Sequence, residues 1–223
     1  IYALSQALTS RSLELKETGQ IQSYINVVKR SFRLFFIYGG SCIVLLWLHA
    51  EALITLYAGK EFLESAFIVR VLSFSILFIG LSSVLKMQVF FAAKKDKLIS
   101  YVTLVALVLN ATVNLTLIPM PGFYGGFNGA AIATVSAEVV TFVVLFSVYS
   151  LKFSNNYSIV KIDYSTYVAT LLGFYFFAKY SLIFTEPLVE FFAEFLMLVI
   201  VLGTLLLAKK DPLLDEVRTR LKI

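Results

Sequence analysis

From Leu98 to Ala137 the chain runs for 40 residues without one Asp, Glu, Lys or Arg. No water-soluble domain threads such a stretch through its interior and comes out on the other side still uncharged. A bilayer does require it, because a hydrocarbon core about 30 Å thick takes about 20 apolar residues at 1.5 Å each. The stretch is long enough for two crossings, and Pro119-Met120-Pro121-Gly122 with Gly125-Gly126 supplies the reversal between them. Composition points the same way. Apolar residues make up 59%, charged residues 15%, and the mean hydropathy is +0.86. Soluble, disordered and disulfide-stapled classes are excluded by these values.

The same ruler gives six spans, at about 33–56, 69–93, 98–118, 128–151, 164–184 and 188–208. The backbone must satisfy its own hydrogen bonds in lipid, so spans are helices or closed barrels. Runs such as Ile43-Val44-Leu45-Leu46 lack the alternation of a barrel strand. The expected fold is therefore all-α, a polytopic membrane helix bundle. Residues 1–10 read as the end of a preceding transmembrane helix. Residues 11–32 mix Arg11, Glu14, Lys16, Glu17, Lys29 and Arg30 with Ile21, Tyr24, Ile25 and Val28 at helical spacing, which predicts an amphipathic helix on the cytoplasmic membrane surface. Residues 209–223 form a short cytoplasmic tail. The first residue is Ile1 and no secretory signal precedes it, so the chain reads as the C-terminal portion of a longer protein.

The basic residues fix an orientation. Of 19 Lys and Arg, 15 fall on one side of a six-span zigzag: before span one, in the loop of Lys94, Lys95 and Lys97, at Lys152 and Lys161, and in the tail. Lys60, Arg70 and Lys179 fall on the other side, and Lys86 lies within a span. The positive-inside rule makes the first side cytoplasmic and places both ends of the chain there. It accounts for the net charge of +5 without a nucleic-acid partner. Trp47, Tyr57, Phe123 and Tyr124 mark the opposite interface.

Charge at membrane depth costs about 2.5–3.5 kcal/mol on insertion scales, so the polar residues inside spans carry functional hypotheses. Lys86 either snorkels to the cytoplasmic headgroups or faces a cavity as a cation for an anionic substrate. Glu138, near the middle of span four, is too short to snorkel; it is a cavity-lining or proton-linked group, or a neutral packing group. Asn110 and Asn114, four apart on one helix face, either bond to neighbouring helices or form a polar cavity wall. Gly39-Gly40-Ser41 and the run Gly129, Ala130, Ala131, Ala133 and Ser136 give surfaces small enough for helices to approach closely. His49 and Glu51 are expected as solvated groups at the outer end of span one. With one His and one Cys, no metal site is expected, and no cofactor motif or soluble-enzyme motif is present.

The stretch Asn110-x3-Asn114-x3-Ile118-Pro119, a glycine loop, then Asn128-Gly129-Ala130-Ala131-Ile132-Ala133-Thr134 resembles the signature of the polysaccharide and oligosaccharide-lipid flippases, within the multidrug/oligosaccharidyl-lipid/polysaccharide exporter superfamily. Leu56-Tyr57-Ala58-Gly59-Lys60-Glu61-Phe62, Phe91-Ala92-Ala93-Lys94-Lys95 and Leu4-Ser5-Gln6-Ala7 resemble other parts of that family, over about residues 1–152. Tyr124-Gly125-Gly126-Phe127 makes the glycine loop longer than the usual form. The resemblance implies a two-lobed, alternating-access transporter of which this chain is the C-terminal lobe, the missing N-terminal half being its partner. The implied cargo is an undecaprenyl-pyrophosphate-linked oligosaccharide, turned across the bacterial inner membrane for O-antigen, capsule or exopolysaccharide biosynthesis, with polysaccharide assembly proteins as further partners. It implies no enzyme chemistry. Arg33, Lys86, Asn110 and Asn114 become substrate-path candidates and Glu138 the coupling-ion candidate. A cation-coupled multidrug antiporter of the same superfamily, or a non-transporting membrane partner of a polysaccharide assembly system, are the alternatives.

Overall fold

A computed structural model describes residues 2–153, 165–180 and 187–208, and every regular element among them is helical. Helix α1 covers Tyr2–Glu17, α2 Ile21–Tyr57, α3 Ala66–Ser83, α4 Asp96–Leu117, α5 Gly126–Lys152, α6 Ser165–Tyr180 and α7 Pro187–Ala208. A 3-10 turn, Lys60–Ser65, leads into α3, and a π-helical segment, Val84–Phe91, continues it. Four helical rods are long and apolar enough to cross a bilayer: Ile21–Tyr57, Lys60–Phe91, Asp96–Leu117 and Gly126–Lys152. The chain is thus an all-helical, multi-pass membrane protein. Helices α6 and α7 lie where the fifth and sixth spans were expected, but neither is among these four rods, and α6 contributes only a shorter apolar helix, Tyr167–Phe176. Lys161 and the tail at 209–223 lie outside the described residues.

The expected surface helix over 11–32 is not one helix. The chain turns at Thr18-Gly19-Gln20, and α2 then runs unbroken for 37 residues, roughly 55 Å at 1.5 Å per residue. That is well beyond the ~30 Å a bilayer core requires. The amphipathic residues Tyr24 to Arg30 are therefore early turns of the same helix that carries the first apolar span. Their apolar side packs inward: Tyr24, Ile25, Val28, Phe32 and Phe35 are buried against Leu81, Val84, Leu85, Val89 and Phe90 of α3 and the π segment, together with Leu145 and Tyr149 of α5.

Small residues set the tightest approach. A Cβ built on Gly39 of α2 would lie 2.7 Å from Leu77 Cα of α3, and one on Gly80 of α3 would lie 2.8 Å from Phe35 Cδ1 of α2. Each helix presents a notch to the other, which is how packing replaces the hydrophobic effect inside lipid. The α4–α5 hairpin closes the same way: a Cβ on Gly129 would meet Leu117 Cβ and Tyr124 O, each at 2.8 Å. Helix α4 is otherwise bare. Val102 is its single buried residue, while Tyr101, Leu104, Leu107, Val108 and Leu115 are exposed apolar side chains that suit a lipid or protein neighbour better than water.

Contacts between remote residues sort the loops into two ends. Phe90 meets Phe153, Lys16 Nζ reaches Ala92 O, and the Tyr24 hydroxyl donates to Gln88 O, so Lys16, Lys94, Lys95, Lys97 and Lys152 gather at one end. At the other end Phe67 meets Phe123 at 4.6 Å, and Arg70 donates to Glu51 and to Trp47 O. Lys60 and Arg70 belong to this second end. A separate apolar cluster joins Leu45 of α2 to Leu171, Phe174 and Ala178 of α6 and to Leu198 and Leu202 of α7. Helices α6 and α7 meet the rest of the bundle chiefly along α2.

Candidate functional site

The five residues singled out from sequence occupy four different elements. Arg33 is half-buried on α2, between the buried Phe32 and Phe35. Lys86 is half-buried in the π segment and Glu138 half-buried on α5. Neither forms a hydrogen bond or ion pair among the described residues, so neither is joined to Arg33 or to the asparagines. Asn110 and Asn114 are brought together: Asn114 Nδ2 donates to Asn110 Oδ1 at 2.9 Å. This bond lies along one helix and not between helices, because the pair sits on α4, whose surface is largely open. Asn114 Oδ1 is itself shielded without a partner.

The π segment is the local irregularity that sequence reading missed. A π turn inserts a residue into the helical ladder and commonly marks a functional place in the chain. Gln88 lies at its middle with no exposure at all, and neither its amide nitrogen nor its amide oxygen is bonded. Leaving such a group unpaired costs about 1–3 kcal/mol. The segment ends where Lys94 adopts a left-handed φ of 56°: Lys95 N donates to Phe90 O and Lys94 N to Phe91 O, a Schellman cap with lysine where glycine is usual. Beside it a cleft of about 430 Å³ is lined by Leu13, Lys16, Glu17, Phe91, Ala92, Lys94 and Asp96. None of the five candidates lines it. Partial burial pushes the Lys16 ammonium, near the end of α1, below its ordinary value, and Lys16 sits 5.5 Å from the Tyr24 ring centroid.

One buried contact between two ionisable side chains involves a residue the sequence reading placed in solvent. His49 is buried, and its Nε2 lies 2.8 Å from Glu194 Oε2 of α7. The two side chains are 8% and 6% exposed. The Phe191 ring stands edge-on to the imidazole at 5.3 Å. The expectation of a solvated His49 is thus corrected, while Glu51, two residues on, is indeed exposed and paired with Arg70. The physical reason is helix phase. Leu45 and His49, four residues apart, share the face of α2 on which α6 and α7 dock, whereas Glu51 turns outward. The signal that should have found the pair was present in the sequence. Glu194 is a carboxylate inside the sixth apolar stretch, and the insertion cost that drew attention to Glu138 applies to it equally.

Comparison with protein-family models, with curated proteins and with solved structures finds no match to this chain.

Proposed function

We propose that this chain is part of a membrane transporter that turns an undecaprenyl-pyrophosphate-linked oligosaccharide from the inner to the outer leaflet of a bacterial cytoplasmic membrane. The observation that carries the reading is the α4–turn–α5 stretch. Its asparagines, prolines, glycines and small residues are the ones that resemble the flippase signature. They coincide with a tight hairpin in which Gly125 and Gly129 leave no room for a side chain. The polar inventory suits such a cargo. A pyrophosphate is met by cations, for which Arg33 and Lys86 are available at membrane depth, and sugar hydroxyls are met by amides such as Asn110 and Asn114. Glu138, a carboxyl with no partner among the described residues, is the coupling-ion candidate of this reading. The exposed apolar surface of α4 then belongs to lipid or to the other lobe of the transporter, and the lysine-rich end faces the cytoplasm.

The test is a clean deletion in a strain with no second flippase. Lipid-linked repeat units should accumulate on the inner leaflet and surface glycan should fall. Unchanged surface glycan refutes the assignment. Site-specific labelling that placed Lys95 and Lys60 on the same membrane face would refute the topology beneath it.

A further inference from the structure

We infer that His49 and Glu194 form a proton-binding site whose occupancy governs how α7 sits against α2. In its coupling role the inference rests on the transport reading above; in its proton binding it does not. The pair is built like a site. Both side chains are more than nine-tenths buried, the imidazole is held edge-on by Phe191, and Leu45 and Leu198, each one turn away along its helix, belong to the apolar cluster of that seam. His49 lies eight residues from the end of α2 and Glu194 seven from the start of α7, so both lie roughly 10–12 Å inside the same end of the bundle. That end is the one carrying Arg70 and Lys60.

Charge decides what the pair can do. With a neutral imidazole and an ionised carboxyl the pair holds one net negative charge. One added proton brings it to zero, as imidazolium with carboxylate or as imidazole with carboxylic acid, and the proton belongs to the pair rather than to either residue. A dry, apolar seam tolerates the neutral pair and penalises the anion, which must recruit water. No other charge compensates for the anion by contact. His49 is the only ion-pair partner of Glu194 among the described residues. On α7, Glu190 precedes Glu194 by one turn and adds negative charge. On α2, Glu51 is taken by Arg70 of α3, and Tyr38 and Cys42 lie further down the helix. On α6, Lys179 is exposed and sits over Tyr175 at 5.9 Å, and in the 3-10 turn Lys60, Glu61 and Glu64 are solvated. The His49–Glu194 contact is also the sole hydrogen bond from α7 to another helix among the described residues. Proton loss therefore acts on the one polar fastener of α7 and favours entry of water between α7 and α2.

The experiment uses the whole transporter, this chain together with its other lobe, in liposomes, with Cys42 and any other native thiol replaced by serine and spin labels at Leu56→Cys and Phe192→Cys, both exposed positions. Distance distributions are read across pH. The expected result is a two-population shift with pH that Glu194→Gln abolishes, the amide holding the low-pH population throughout. His49→Gln should move the midpoint by more than one pH unit, and Glu61→Gln, at an exposed position of the 3-10 turn, should leave it in place. A distribution that ignores pH, or one whose response survives Glu194→Gln, overturns the inference. Flipping of a lipid-linked oligosaccharide in the same liposomes separates the two readings. A pH response without flipping under any gradient retains the proton site and removes the flippase. Flipping that is driven by a pH gradient and is insensitive to Glu194→Gln retains the flippase and removes the site.

Discussion

Replacing Gly39 by alanine adds one methyl group where α2 crosses α3. The built Cβ lies 2.7 Å from Leu77 Cα, 2.9 Å from Leu77 Cδ1 and 3.0 Å from Leu77 Cβ. A side chain can rotate away, but a backbone Cα cannot. Ordinary contact begins near 3.4 Å, so the helices must part by about 0.7 Å, the difference between 3.4 and 2.7 Å. A gap of that size forfeits a quarter to a half of the dispersion well at every atom pair along the seam. The reciprocal contact of Gly80 with Phe35 lies on the same seam and loosens with it. Overpacking of this kind costs about 1–3 kcal/mol. Alanine also improves helix propensity by about 1 kcal/mol, which masks part of the loss. Gly173 of α6 supplies the correction, because a Cβ there has nothing within 4 Å. Gly173→Ala carries the propensity gain alone, and the difference between the two variants isolates about 1–3 kcal/mol of packing. Denaturation in mixed micelles measures it, followed by the fluorescence of Trp47. That residue is the single tryptophan, and it packs edge-on against Phe74 across the same two helices. Equal stability of the two variants, within about 0.5 kcal/mol, would refute the close crossing of α2 and α3.

Gln88→Met fills the same space without an unbonded amide, so it should raise stability by about 1–3 kcal/mol in the same denaturation assay, and a loss there would mean that the amide is satisfied. If the π segment takes part in transport, that variant should also slow flipping in liposomes while folding improves. Lys94→Gly relieves a left-handed backbone at the end of the π segment and should add about 1 kcal/mol of stability; a loss would show that the lysine side chain, not the turn, holds the cap. Lys16 has its proton affinity reduced by burial, so the unfolded chain binds that proton more tightly than the folded one. Stability should therefore rise as pH climbs toward 10.5, and subtracting the profile of Lys16→Met should leave that rise behind; a flat difference profile contradicts it.

What could be read from the sequence was whatever lipid imposes residue by residue. The charge-free stretches fall inside helices, with α3, α4 and α5 within a few residues of their expected limits and α2 starting twelve residues early, because the cost of placing Lys or Glu in hydrocarbon acts on each position alone. The glycines of 39–40 and the small residues at 129–133 were legible for a similar reason: a missing Cβ is visible without knowing its neighbour. Boundaries set by turns were harder. Nothing in Tyr24 to Arg33 marks the place where a surface helix would end and a span begin, and the structure has no such place. The π segment was not legible because its extra residue changes which side chain is buried, not which residues are apolar.

The site shows the limit most clearly. Arg33, Lys86, Asn110, Asn114 and Glu138 were chosen because each is polar at depth, a property of one position. Partnership is a property of two, and Asn110 with Asn114 was foreseeable as a shared face only because both lie on one helix. His49 and Glu194 are 145 residues apart. Each alone has a bland explanation, an interface histidine and a carboxylate near a helix end. Only the docking of α6 and α7 along the Leu45 face of α2 makes them a buried pair. A buried ionisable residue stays in a membrane protein when something neutralises it or when its charge is used. Glu194 meets the first condition through His49, and the pair is neutral only when it holds one added proton. The neutralisation is therefore conditional on protons. That conditionality sets this pair apart from Glu51 with Arg70, a guanidinium–carboxylate contact open to solvent.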